Sequence, residues 1–165
     1  MSAPLFRPVH RDDADAICAI YNPHVRETIV TFEDVPVTPA QMIERIDQVL
    51  GAGYPWLVAQ HEGRVAAYAY ATRWRSRAAY DPTVETTIYV AADAQRSGVG
   101  LPLYQLLLRT LAEHGFHVAL GCIALPNPAS VAFHERCGFL KVAHHAQVGR
   151  KFDRWVDVGF WQRTL

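Results

Sequence analysis

The sequence shows no imbalance of charge, few cysteines and no long apolar run. Lysine plus arginine and aspartate plus glutamate each number 16. A chain that grips nucleic acid through its phosphates carries a basic excess, so no nucleic-acid partner is expected. The apolar stretches fall far short of the ~20 residues that cross a bilayer as a helix, so no membrane partner is expected either. Residues Met1 to Pro8 lack the charged-then-apolar pattern of a secretory signal, which points to a cytoplasmic location. The three cysteines, Cys18, Cys122 and Cys137, form no CxxC pair, and an odd, sparse set fits reduced thiols. There is no HExxH motif or Cys/His cluster. His144 and His145 are adjacent, so on a strand they would face opposite sides. No metal is expected. Repeats, low-complexity tracts and Ser/Gly linkers are also missing, and 165 residues suit one domain over 1–165.

What is present is a regular alternation of strands and helices. Leu5 to Val9 reads as a first strand. Asp12 or Asp13 can cap a helix whose apolar side carries Ile17, Ile20 and Tyr21. Thr38-Pro39-Ala40-Gln41 has the form of a capping box with proline in the first turn. It opens a helix with Met42, Ile46, Val49 and Leu50 on one face. Pro55 to Gln60 and Arg64 to Thr72 predict a hairpin around His61-Glu62-Gly63. Val84 to Val90 is β-branched and aromatic, hence a strand. A long helix follows and ends near His114-Gly115, then a strand from Val118 to Ile123. A helix opened by Pro126-Asn127-Pro128 stops at Gly138. Strands around Phe139 to Val148 and Trp155 to Gln162, joined by a Gly149 to Arg154 turn, complete the chain. The order β-α-α-β-β-β-α-β-α-β-β is an α+β pattern with a mixed, largely antiparallel central sheet and flanking helices.

Gln95-Arg96-Ser97-Gly98-Val99-Gly100 lies between a strand and a helix. Two glycines let the backbone turn sharply and approach a ligand. The helix start presents unpaired N–H groups and a positive dipole end, together an anion site suited to a pyrophosphate. A Walker loop would need Gly-Lys-Ser/Thr here, and a dinucleotide fingerprint a glycine where Leu103 stands. Glu85 sits ten residues upstream of the loop. Strand alternation puts Glu85, Thr87 and Tyr89 on one face and Thr86, Ile88 and Val90 on the other. A carboxylate inside a sheet is costly unless paired or hydrated.

The segment Ile88-Tyr89-Val90 leading to Gln95–Gly100 resembles the Q/R-x-x-G-x-G/A loop of the GNAT acyltransferase superfamily. Asn127-Pro128-Ala129-Ser130, with Phe133-His134-Glu135-Arg136-Cys137-Gly138-Phe139, resembles its N-x-x-S/A…Y-E-x-x-G-F segment. Histidine at 134 stands where much of the superfamily has tyrosine. Within the superfamily the chain is most similar to the phosphinothricin and methionine sulfoximine acetyltransferases. That likeness runs through Tyr54–Ala59, Trp74–Arg77, Ala79–Asp81, Glu85–Val90 and Trp155–Gln162.

The resemblance implies a GNAT fold and an acetyl-CoA-dependent N-acetyltransferase. The acceptor would be the α-amino group of a small amino-acid analogue: phosphinothricin, methionine sulfoximine or methionine sulfone. It implies that acetyl-CoA meets Ile88, Tyr89, Val90, the loop Gln95, Arg96, Ser97, Gly98, Val99, Gly100 and Leu101, and Asn127 and Ser130. It puts the general base at Glu85. A free glutamate has a pKa of about 4.3, well below an amine's, so the role needs burial or a water relay. It puts the acceptor near Arg75, Ser76, Arg77, Tyr80, Glu85, Thr86 and Thr87, with Phe32 as a wall. Guanidinium groups pair bidentately with a carboxylate or phosphinate. His134 either protonates the leaving thiolate or only contacts the cofactor. Asn127 is either a pantetheine ligand or a plain helix cap. Relatives of this kind form homodimers, and the aromatic Trp155 to Trp161 region offers a surface for one. Two other functions remain in view: a protein or peptide acetyltransferase, and a non-catalytic acetyl-CoA sensor, which would have no need of Glu85.

Overall fold

The computed structural model describes residues 3–95 and 97–165; Arg96, one of the expected cofactor residues, lies outside them. The order of elements is β1 (Leu5–Pro8), α1 (Ala14–Glu27), α2 (Pro39–Gly51), β2 (Trp56–His61), β3 (Arg64–Arg73), β4 (Thr83–Val90), α3 (Gly100–Glu113), β5 (Val118–Leu125), α4 (Pro128–Arg136), β6 (Leu140–Lys151) and β7 (Arg154–Thr164). The strands form one sheet in the order β1-β2-β3-β4-β5-β7-β6. Each neighbouring pair is antiparallel except β4 and β5, which run parallel.

Period-two alternation divides the two cores. On β3, Ala67, Ala69 and Ala71 face α3 and pack with Leu103, Leu107 and Leu111. Tyr68 faces the other way, onto Ile17, Val25 and Ile46 of α1 and α2. The alanines let α3 lie close to the sheet, while stacked Trp56, Tyr68 and Tyr70 fill the wider space beneath α1 and α2. The Thr38–Gln41 capping box is present in both directions.

Four details depart from the sequence expectations. Asp13 does not cap α1 through its side chain. It is buried and accepts two 2.8 Å bonds from the Arg7 guanidinium, a stronger partner than a helix amide. Leu50 is exposed, because the helix turns its Met42–Ile46 face inward. β5 runs on to Leu125, since its pairing with β7 extends to Leu125↔Asp157. The last hairpin closes at Lys151↔Arg154, so its turn is the pair Phe152-Asp153 rather than the whole Gly149–Arg154 stretch. Both turn residues have positive φ, 50° and 57°. A two-residue hairpin of this kind requires that twist, and phenylalanine is not a residue that announces it.

Candidate active site

β4 and β5 pair at three positions, Thr83↔Val118, Val84↔Ala119 and Glu85↔Leu120. Beyond them the strands part. β4 stays with β3 as far as Val90, and β5 stays with β7 as far as Leu125. From Thr86 onward one edge of β4 therefore has no strand partner. A row of backbone N–H and C=O groups in that state calls for a ligand with matching amides. Thr86 closes the apex of the split. Its hydroxyl donates to the Leu120 carbonyl at 3.0 Å and accepts from the buried Tyr104 hydroxyl at 2.7 Å.

The split opens into a cleft of about 230 Å³ lined by Glu85, Thr87, Tyr89, Cys122, His134 and Phe32 among others. Glu85 is half-buried at its apex, and burial raises its carboxyl pKa above the ordinary value. Among the described residues no cation offsets that shift, so the carboxylate is a better base than a solvated one. On the opposite bank, α4 lays the buried His134 ring against Gly121. The His134 Nδ1–H donates to the Ser130 carbonyl at 2.8 Å, so in the neutral ring Nε2 is the acceptor. Burial lowers its pKa and favours that neutral form, with the bond to Ser130 opposing the shift. Cys122 also reaches the cleft, and burial and nearby Glu85 push its thiol up to about 11. It is therefore a poor nucleophile, against any route through an acetyl-cysteine.

The glycine loop stands at the open end of the split. A Cβ on Gly100 would lie 3.2 Å from Val90 Cγ2 and 3.9 Å from Ile88 Cδ1. Gly98 has φ +85°, a conformation L side chains avoid. Val99 provides no side-chain cap for α3, which leaves the first amides of the helix for an anion. Gln95 and Ser97 are exposed on this loop. Asn127 caps α4 by accepting from the Ser130 amide at 3.1 Å. Its Nδ2 has no protein acceptor among the described residues, so capping and ligand contact are compatible.

Glu85, Thr86, Thr87, Ile88, Tyr89, Asn127, Ser130, His134 and Phe32 are thus gathered around one cleft. Arg75, Ser76 and Arg77 are not: they are exposed on the β3–β4 loop. There the Arg75 guanidinium lies 4.6 Å from the Trp74 ring and 5.9 Å from that of Tyr80. The loop leaves β3 at Arg73, opposite Val84, so it borders the Glu85 end of the split. Val30, Thr31, Ile123, Ala124 and Val158 line the cleft as well and escaped sequence reasoning. Ordinary residues in a loop and apolar residues within strands gave no local sign of the cleft they share.

A parallel pair splayed past a half-buried carboxylate, with a glycine turn and helix start at its mouth, defines the class as an acyltransferase. Residues 6–159 match the family model described as acetyltransferase (GNAT) domain, and the chain belongs to that family of N-acetyltransferases. It is 43% identical over 159 residues to a phosphinothricin N-acetyltransferase of Streptomyces viridochromogenes, covering 96% of this chain and 86% of the relative. It is 37% identical over 154 residues to an L-methionine sulfoximine/L-methionine sulfone acetyltransferase of Pseudomonas aeruginosa, covering 93% and 90%. A crystal structure of a phosphinothricin acetyltransferase from Sinorhizobium meliloti in complex with acetyl-CoA superposes with a TM-score of 0.94 at 34% identity, covering 99% of this chain and 89% of that one. Among the described residues there is no group of three or more His, Cys, Asp and Glu able to hold a metal. Among the described residues no helix is long and apolar enough to cross a membrane.

Proposed function

We propose that this protein transfers the acetyl group of acetyl-CoA to the α-amino group of phosphinothricin, methionine sulfoximine or methionine sulfone. The observation that carries the reading is the unpaired β4 edge running from half-buried Glu85 to the glycine loop. Its residues fit acetyl-CoA: backbone groups of Thr86–Val90 for the amides of the pantetheine arm, Asn127 Nδ2 beside them, and the α3 start with Ser97–Leu101 for the pyrophosphate. Acetyl-CoA supplies an activated thioester. Glu85 takes the ammonium proton, directly or through a water, so that the neutral amine can attack the carbonyl carbon. A β4 backbone N–H facing the gap stabilises the oxyanion that develops. The C–S bond then breaks: the attacking nitrogen gives up its second proton to form the neutral amide, and the leaving sulfur takes up that one proton, directly or through water, to depart as the free thiol. His134, held neutral with Nε2 as its acceptor, is assigned to the thiol as a hydrogen-bond partner rather than as the acid.

Arg75 or Arg77 is assigned to the acceptor's carboxylate or phosphinate. A cleft of about 230 Å³ walled by the Phe32 loop suits a small acceptor rather than a polypeptide. A second copy of the chain is proposed to pair along β6, the sheet edge, where Leu140, Val142 and Val148 are exposed with Trp155 beside them on β7. Light scattering that gives a monomer would refute that pairing. A cytoplasmic location, where acetyl-CoA is made available, belongs to the same reading.

The test is release of free thiol from acetyl-CoA with the three analogues, ordinary amino acids, polyamines and a lysine peptide. Fastest turnover with one of the analogues supports the proposal. Preference for the peptide, or bound acetyl-CoA with no turnover, would overturn it.

A further inference from the structure

The geometry points to Lys151 as a positioning residue that holds the acceptor-side wall of the cleft in place. The wall is the segment Thr28–Thr38, which has no helix or strand of its own and supplies Val30, Thr31 and Phe32 to the cleft. Its internal bonds are few: the Val30 amide to Thr28 Oγ1 at 3.2 Å and the Glu33 amide to Thr31 Oγ1 at 3.3 Å. Its shape therefore depends on what grips it from outside.

From the α1/α2 side, the Tyr21 hydroxyl meets Thr31 Oγ1 at 2.7 Å, and Arg45 pairs with Glu33. From the sheet side, Ile29 packs with Ala124 of β5 and Val156 of β7, and the polar grip among the described residues is one ammonium. Lys151, at the end of β6, is 6% exposed. Its Nζ donates to the Thr31 carbonyl at 2.7 Å and, at 3.4 Å, to the His24 carbonyl in the last turn of α1. A cation is favoured at that end of a helix. Burial lowers the Lys151 pKa, while the carboxylates of Asp34 and Glu33 pull it back up. Two residues earlier, a Cβ on Gly149 would fall 2.2 Å from the Phe32 ring. The tip of the β6–β7 hairpin is thus moulded to the wall at two points. A buried lysine that donates to main-chain carbonyls, with no carboxylate in hydrogen-bond contact among the described residues, is costly to keep. Setting a wall of the substrate cleft gives it a role.

This inference rests on the acceptor occupying the cleft beside Glu85. Its test therefore has one arm that is independent of turnover. Lys151→Met keeps the stem and removes the ammonium. Hydrogen exchange at amides 28–34 is expected to accelerate in this variant, with exchange in α3 unchanged. In the thiol-release assay, the KM for the best acceptor is expected to rise about tenfold, as for a misplaced wall. The KM for acetyl-CoA and kcat should stay near wild type, and Lys151→Arg should recover part of the loss. Unchanged exchange would overturn the inference, as would an unchanged acceptor KM. An equal loss on both substrates would mark a merely structural lysine and overturn it too. If the methionine variant does not fold, Gly149→Ala, whose Cβ would meet the Phe32 ring first, must give the same split between acceptor and acetyl-CoA. Equal effects on the two KM values there would contradict the inference. Should the wild type turn over no amine, the functional proposal fails, and the exchange arm still decides whether Lys151 holds the wall.

Discussion

His134 and Gly121 are in direct contact on one bank of the cleft: a Cβ on Gly121 would sit 2.7 Å from His134 Cδ2 and 2.8 Å from Nε2. Backbone at that separation leaves no space for any side chain. Gly121→Ala should therefore drive the imidazole off its bond to Ser130. Overpacking of this kind costs about 1–3 kcal/mol, measurable by urea denaturation. Turnover should fall by about tenfold or more if His134 is the partner of the thiol as proposed, because its ring is displaced.

Thr86 ties β4 to β5 at the point where they separate. Thr86→Val preserves its shape but leaves the Tyr104 hydroxyl and the Leu120 carbonyl without their partner. Stability should drop by about 1–3 kcal/mol, the range for a buried polar group left unpaired. Thr86→Ser, which keeps the hydroxyl, should lose less of this stability.

Glu85 has a carboxyl pKa raised by burial. A group whose folded pKa exceeds its unfolded one favours the folded state at low pH, and that contribution is lost as pH rises through the folded pKa. At neutral pH the ionised Glu85 thus works against folding. Glu85→Gln should raise Tm at pH 7, and the gain should vanish as pH falls below the ordinary carboxylate range. Equal Tm differences at both pH values would mean that Glu85 is not desolvated.

Arg75 is placed outside the cleft of the single chain, on its aromatic seat of Trp74 and Tyr80. If it nevertheless recognises the acceptor's anionic group, Arg75→Ala should raise the acceptor KM by about tenfold or more, in keeping with the loss of a charged hydrogen bond. Acetyl-CoA affinity and stability should be unaffected, since the guanidinium makes no hydrogen bond to another element among the described residues.

Much of the fold was legible because its signals are local. The Thr38–Gln41 box, the Tyr/Ala alternation of β3 and the glycine turn before α3 each declare themselves within a few residues. The face assignment on β4 was legible for the same reason, and Ile88 and Val90 do lie toward Gly100 while Tyr89 lies toward Tyr21. The split between β4 and β5 was not legible. It depends on which distant strand each continues to pair with. Phe32 was expected as a wall through the resemblance, but Val30 and Thr31 beside it were not, because their place is set by Tyr21, Arg45 and Lys151 from three other elements. Asp13 misled for a related reason: aspartate before a helix reads as a cap, and here the charge of Arg7 claims it.

The account rests most heavily on Glu85 as the base at the head of the split. The most direct measurement compares Glu85→Gln with wild type for thiol release and for acetyl-CoA binding by calorimetry. The account predicts a rate lower by about 10²–10⁴-fold, the usual contribution of a general base, with acetyl-CoA affinity unchanged. A rate equal to wild type would remove Glu85 from the chemistry, and with it the central claim.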